Sequence, residues 1–320
     1  MAWKAENQLG DRILPSQRGY IYFIEHARIE VADHAVEIAK AEGGRSVSYN
    51  LPYANSSLVL LGEGTSLTRD AARLLADQGV MVAFTGGGGT PLLSASSEPF
   101  VLLEPQSEYR PTEYMQKLAK IFFDDTRRLA TAKWLLKKRL QKTAELWAAL
   151  PEAEDLNPAR RLIALRKPFV AEIDAACSVQ EVLLAEARHT KQVYAVAAES
   201  LLGDEFVRSP GRGEDTANQF LDQGNYLMYG IAGVALHGLG LSFAFAMLHG
   251  KTRRGGLVFD VADLLKDGLS IPLAFHHARY ESSPQAYRAR VIEAIHEQKL
   301  IPYLFDTLKQ MLEENLECTE

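Results

Sequence analysis

Cysteine is nearly missing from this chain: Cys177 and Cys318 are the only two in 320 residues. Two thiols are too few for a disulfide framework or a thiolate zinc site. The opening stretch, MAWKAENQLGDRILP, lacks the apolar core of a secretory signal, so a cytoplasmic protein is expected. Compositional bias is missing too. With 47% apolar and 24% charged residues, the chain reads as ordinary globular protein rather than disordered polymer. Its length suits one large domain or two ordinary ones.

Charge is absent from one window. From Gln223 to Gly250 there is no Lys, Arg, Asp or Glu, a run long enough to pass a crude test for a membrane span. The same window holds His237 and, among its glycines, Gly230, Gly233, Gly238 and Gly240, and its HGLG reads as a turn. The expectation is therefore a buried helix, a break, and a second buried segment that delivers His249, with no membrane involved. The formal net charge of −6 argues against a generally sticky nucleic-acid binder. Distribution matters more than the total. Between Gln106 and Glu145 there are ten Lys or Arg against five Asp or Glu, a basic stretch in an acidic chain.

Strand signals are confined to the first third. Tyr20–Phe23, Ala27–Val31, Ser57–Leu61 and Val80–Phe84 read as strands, with a helix over Asp70–Ala76 capped from Thr65, Ser66 or Thr68. The glycines at 86–89 are followed by Thr90-Pro91 and not by Gly-Lys-Ser/Thr, so they mark a turn rather than a phosphate-binding loop. Near Pro105 the period changes, and from Thr112 onward the pattern is helical. Glu113 to about Trp147 reads as one long helical region, Pro151–Pro158 as a connection, and Val179–Leu202 as a second helix. A charged Gly/Pro loop covers Arg208–Asp215, and further helices run from Leu273 to Leu312. The acidic end, Glu313, Glu314, Glu317 and Glu320, is expected to fray. No internal repeat is visible. The fold class is α+β: a β-rich N-terminal domain over 1–105, then a larger all-α domain over 106–320.

The chemistry concentrates in LHGKTRRGGLVFDVADLLKD, Leu248 to Asp267. A histidine, His249, ends the uncharged run; Lys251, Arg253 and Arg254 follow; then come a Gly255-Gly256 break and Asp260 and Asp263. If Leu257–Lys266 is helical, two aspartates three apart are surface neighbours. Hard oxygen ligands hold Mg²⁺ or Mn²⁺, an imidazole favours tolerance of Mn²⁺, and cations balance a phosphate. A further carboxylate is expected from the helical region, and Glu186 in LLAEARHTK, beside Arg188 and Lys191, is the best candidate. Each residue alone has a plainer reading: a satisfied core histidine, a carboxylate opposing a helix dipole, a solvated loop, an i, i+4 surface pattern. The combination favours a metal site facing nucleic acid. The cations of the basic helix, from Lys117 to Lys142, suit either a solvated face or a nucleic-acid contact.

HGKTRRGGLVFDVADLLKD resembles the signature of the universal CRISPR-associated adaptation integrases, metal-dependent DNA endonucleases that insert new spacers. LGEGTSLT (Leu61–Thr68), FTGGGGTPL (Phe84–Leu92), PQSEYRPTEY (Pro105–Tyr114) and FLDQGNYLMYG (Phe220–Gly230) look like the version found in type I-F systems. The resemblance implies metal ligands at Glu186, His249 and Asp263, with Asp260 as the supporting acidic residue. It implies an N-terminal β-domain that joins a homodimer, and a C-terminal helical catalytic domain. It also implies a small adaptation partner, fused in this subtype to a helicase–nuclease, and DNA that is double-stranded, branched or carries 3′ ends. On that reading Lys251, Arg253, Arg254, Arg188 and Lys191 contact DNA. Rival readings are a stand-alone nuclease on branched DNA, a non-catalytic DNA-binding scaffold, and a small-molecule hydrolase.

Overall fold

A computed structural model describes residues 20–42, 45–84, 101–103, 112–156, 158–203, 206–210, 215–250 and 255–317, together with Arg18. The strand-rich part comes first: β1 (Tyr20–Ile24), β2 (Ala27–Ala32), β3 (Ala35–Glu42), β4 (Arg45–Asn50), β5 (Ser56–Leu61), β6 (Ser66–Leu67), α1 (Arg69–Asp77), β7 (Met81–Phe84) and β8 (Val101–Leu103). They form two four-stranded sheets, ordered β1-β5-β7-β8 and β4-β3-β2-β6. In the first, β1, β5 and β7 are parallel and β8 is antiparallel.

Every residue of β5 is buried, as expected of a central parallel strand covered on both faces. Alternation divides the load. Leu58 and Leu60 join the large core built by the helices, whereas Val59 and Leu61 join a smaller core with Ile29, Val36 and Leu75. The first sheet is thus a middle layer between the second sheet and the helical region. Its contact with the helices is close: a Cβ on Gly230 would lie 2.9 Å from Leu58 Cδ2. Thr68 caps α1, its hydroxyl accepting from the Ala71 amide at 3.4 Å, while Ser66 belongs to β6 instead. The hairpin β3–β4 carries no strong sequence signal; only Val36 and Ile38 face the small core.

The helical region comprises α2 (Glu113–Phe122), α3 (Asp125–Ala149), α4 (Pro158–Ala175), α5 (Val179–Leu201), α6 (Thr216–Gly238), α7 (Gly256–Leu265), α8 (Ile271–Arg279), α9 (Pro284–Glu297) and α10 (Leu300–Glu317). The helical region expected over Glu113–Trp147 is present as two helices. Asp124 leaves helical geometry and its carboxylate accepts from the Thr126 and Arg127 amides, both at 3.0 Å, starting α3 anew. α6 is apolar and buried nearly all round and forms the central post. It ends at Leu239-Gly240, and an irregular segment carries the chain on to Gly250. Among the described residues no helix is long and apolar enough to cross a membrane. The acidic end does not fray before Glu317. Glu313, Glu314 and Glu317 lie in α10, where Trp134 Nε1 donates to Glu314 Oε2 at 2.6 Å.

Between α7 and α8 the chain makes a wide π-helical turn, Lys266–Ser270. Here α3 lies against it so tightly that a Cβ on Gly268 would meet Leu146 Cδ1 at 2.6 Å and the Thr143 Cα at 3.1 Å. Trp147 Nε1 donates to the Asp267 carbonyl at 2.8 Å and locks the turn onto α3.

Candidate metal centre

The Gly255-Gly256 break has a steric cause. Gly255 adopts the left-handed conformation (φ 66°) at the head of α7, and a Cβ on Gly256 would sit 2.7 Å from Ala246 Cβ and 3.3 Å from the His249 backbone. α7 therefore starts pressed against the 246–249 segment. One turn later Asp260, 2% exposed, points straight at that segment. Its Oδ2 accepts from the Met247 and Leu248 amides at 2.6 and 3.0 Å. Its Oδ1 accepts from the His249 amide at 3.2 Å and faces the His249 Nδ1 at 2.7 Å. A carboxylate oxygen that already takes backbone N–H groups faces the imidazole as an acceptor, so Nδ1 is the nitrogen that carries the proton toward it. When deprotonated, the ring carries its lone pair on Nε2, the arrangement of a carboxylate–histidine pair that prepares a metal ligand.

Asp263, one turn on, does something else. It is 7% exposed and forms an ion pair with Lys266. Burial pushes its carboxyl up, but Lys266, Arg139 and His249 together hold it below the usual carboxylate range. Lys266 is the mirror case: burial lowers its ammonium, and Asp263 and Tyr229 more than restore it, so it stays charged.

The third part of the centre hangs on Arg139, which is 3% exposed. Its Nε and Nη2 donate to the two oxygens of Asp267 at 2.7 and 2.8 Å. Its Nη1 donates to Glu186 Oε1 at 2.7 Å, and Nη2 also reaches the Thr190 hydroxyl at 2.9 Å. Thr190 in turn donates to the same Glu186 oxygen at 3.0 Å. Glu186 is thereby held on the inner face of α5. Burial works against the Arg139 charge, yet Asp267, Glu186 and Asp263 raise its pKa further still.

These are not the positions where the basic run pointed. Arg139 is neither a solvated cation nor a nucleic-acid contact but a buried strut. Its neighbours are surface cations engaged within the chain: Lys137 pairs with Asp174 at 2.6 Å and Lys138 donates to Gln310 at 3.0 Å. Arg188 and Lys191 follow Glu186 by two and five positions, roughly 200° and 140° round the helix, so they face away from it. Arg188 is exposed and pairs with Glu172 of α4 at 2.7 Å. Lys251, Arg253 and Arg254 lie outside the described residues.

As the side chains stand, no three His, Cys, Asp or Glu residues among those described are gathered to hold an ion. The expected convergence of Glu186, His249 and Asp263 on one ion-sized pocket is therefore not what the structure displays. Each is turned to a partner of its own: Arg139, Asp260 and Lys266 respectively. The donor types nevertheless fit Mg²⁺ or Mn²⁺, with two carboxylates and one oriented imidazole. The local charge fits as well. Four carboxylates, Glu186, Asp260, Asp263 and Asp267, stand against two cations, Arg139 and Lys266. The two negative charges left over are what one divalent ion balances.

A groove of about 580 Å³ opens beside this cluster, lined among others by Asp125, Arg128, Leu129, Leu183 and Leu248. Leu248 adjoins His249, and Leu183 precedes Glu186 by one turn on the same stripe of α5. The groove thus touches two of the three elements that carry the candidate ligands, α5 and the segment before Gly250. Sequence reasoning missed Arg139, Lys266 and Asp267. Asp267 had a usable signal, because Asp260, Asp263 and Asp267 follow the i, i+3, i+7 spacing of one helical face; Arg139 had none.

The family model described as "CRISPR associated protein Cas1" matches residues 21–279. The chain is 41% identical over 305 residues to the CRISPR-associated endonuclease Cas1 of Pseudomonas aeruginosa (strain UCBPP-PA14), covering 93% of this chain and 94% of that one. It has the same identity and coverage with the protein of that name from Pectobacterium atrosepticum. Among solved structures it resembles a Cas1 protein from Thermotoga maritima (TM-score 0.72, 14% identity, 93% and 97% of the two chains). It also resembles a casposase bound to integration product (0.71, 14%, 94% and 91%) and a TtCas1–DNA complex (0.64, 22%, 92% and 91%).

Proposed function

From the premise that this chain belongs to the CRISPR associated protein Cas1 family, we propose that it is a metal-dependent DNA endonuclease and integrase, which inserts spacer DNA into a CRISPR array by phosphodiester strand transfer. The observation that carries the reading is the His249–Asp260 unit. A buried aspartate spends both oxygens on one loop and one imidazole, and so fixes which nitrogen faces outward. The casposase and the DNA complex among its structural neighbours support the same chemistry.

Glu186, His249 and Asp263 are the residues to hold Mg²⁺ or Mn²⁺, and Asp260 orients the histidine. When bound, the ion supplies Lewis acidity at the phosphodiester and eases attack by a DNA 3′-hydroxyl, or by water in the nuclease reaction. Arg139 keeps Glu186 from collapsing toward solvent. Lys251, Arg253 and Arg254 are assigned to the flanking phosphates, where they position rather than read sequence. Arg188 and Lys191, on the outer face of α5, are assigned to more distant DNA. The groove beside Leu183 and Leu248 is the approach for the DNA end. The protein works in the cytoplasm as a homodimer joined through residues 1–105, with residues 106–320 as the catalytic domain. It docks on a small adaptation partner fused to a helicase–nuclease.

The test is a joining assay with an oligonucleotide bearing a 3′-OH, a supercoiled target and Mn²⁺, with and without EDTA. Covalent joining is expected, abolished by EDTA and by Glu186→Ala, His249→Ala or Asp263→Ala in chains that still melt cooperatively. Cleavage without joining would mark a stand-alone nuclease. DNA binding with neither joining nor cleavage by the wild type, or full joining in all three variants, would sink the assignment.

A further inference from the structure

Lys266 is the one cation of the cluster with two seats. On one side its ammonium pairs with Asp263; on the other it lies 4.7 Å from the centroid of the Tyr229 ring and donates to the Tyr229 hydroxyl. Its side chain is 16% exposed, so both seats are out of bulk water. Tyr229 is anchored in turn, edge-on to Phe259 at 4.8 Å, and Phe259 flanks the His249 ring at 6.5 Å. The lysine therefore sits against a rigid aromatic wall that also borders the histidine. Arg139, by contrast, is held by a two-point contact to Asp267 and a further contact to Glu186 and has nowhere else to go.

We propose that Lys266 is an exchangeable counter-ion: it neutralises Asp263 while the centre holds no metal, is displaced from that carboxylate by the divalent ion, and is kept at the site by Tyr229, where its ammonium takes a phosphate oxygen of the DNA. This rests on the metal-dependent reading above. The physical reasons are three. A buried carboxylate left without a cation is costly, so an empty centre needs a substitute. A compact ammonium on a flexible four-carbon stem can change partners, which a bidentate guanidinium cannot do as easily. An ammonium over an aromatic face retains part of its stabilisation when its carboxylate is lost. No bond is made or broken; one ion pair is exchanged for another.

The role predicts effects of opposite sign. If the Asp263 seat is open to metal about a tenth of the time, apparent affinity is weakened about tenfold, and removing the ammonium restores it. Manganese binding to the full-length protein, followed by the electron paramagnetic resonance of free Mn²⁺, should therefore tighten about tenfold in Lys266→Met relative to wild type. Joining of the 3′-OH oligonucleotide at saturating Mn²⁺ should fall about tenfold or more in the same variant. Tyr229→Phe, which keeps the ring and drops the hydroxyl, should leave Mn²⁺ affinity as it is and lower joining. Lys266→Gln serves the same comparison should the methionine variant melt early. Equal or weaker Mn²⁺ binding in both lysine variants overturns the exchange. Tighter binding with undiminished joining also overturns it, because the lysine would then only neutralise Asp263. Failure of the wild type to bind Mn²⁺ brings down the metal reading itself, a distinct result.

Discussion

The two halves of the candidate centre are built in different ways. In the half around α7, His249 and Asp260 are 11 residues apart, and the loop amides they share span 247 to 249. In the other half Arg139 reaches Glu186 across 47 residues and Asp267 across 128. The first is a local motif: a glycine pair brings a helix against a loop, and one aspartate satisfies both. The second exists only because α3, α5 and the π-helical turn pack together. One half orients the His249 imidazole, and the other holds the Glu186 and Asp267 carboxylates on a buried cation.

Breaking the long-range half should have the largest effect. Arg139→Met leaves Asp267 and Glu186 without their cation inside the protein, and a loss of about 3–5 kcal/mol is expected by thermal or urea unfolding. A loss under about 1 kcal/mol would mean that the carboxylates find water and that the strut is dispensable. Asp260→Asn strikes the local half. The amide cannot accept from three amides and the imidazole together, so Mn²⁺ affinity should drop about 10- to 100-fold while the fold survives. Wild-type affinity in that variant would remove Asp260 from the centre. Gly268→Ala tests whether the close approach of α3 is needed. The added methyl, 2.6 Å from Leu146 Cδ1, is expected to cost about 1–3 kcal/mol and to loosen the Asp267–Arg139 pairing.

The smallest effect concerns pH. His189 of α5 is stacked on Phe169 at 4.0 Å, and burial lowers its pKa to about 4, with Asp267 opposing and Arg139 adding to the shift. The unfolded chain takes up that proton near pH 6.5. Because the folded value is depressed, the stability from keeping His189 neutral is complete above about pH 6.5 and is lost as pH falls toward 4. His189→Phe preserves the stack and removes the proton site. Melting curves between pH 7 and 4.5 should fall less steeply for that variant, by on the order of 2 kcal/mol at the acid end. Parallel curves for variant and wild type would show that His189 stays neutral for no thermodynamic reason.

How much was legible follows the same division. Asp260, Asp263 and His249 stand within one twenty-residue stretch, and the spacing of the aspartates made their helical relation readable before any coordinates. Glu186 was legible as the carboxylate of an amphipathic helix beside cations. The break at Asp124 had a sign too, two adjacent aspartates inside a helical pattern, outweighed by the periodicity on either side. The helical end was misjudged because nothing near Glu314 announces the indole of Trp134 that holds it. Arg139 was illegible for the same reason: in a run of four cations over six residues, nothing local separates the one that turns inward.

Sequence by itself determined the α+β order of the chain, the buried central strand, the uncharged run from Gln223 that fills most of α6, and the helical relation of Asp260 to Asp263, because periodicity and short-range spacing are written in neighbouring residues. Tertiary structure alone decided that the first sheet is a middle layer, that Arg139 is a strut, and that Lys266 stands on Asp263. Those outcomes depend on which helix faces meet, and burial, not residue type, determines whether a charged side chain is a solvated cation or a counter-ion.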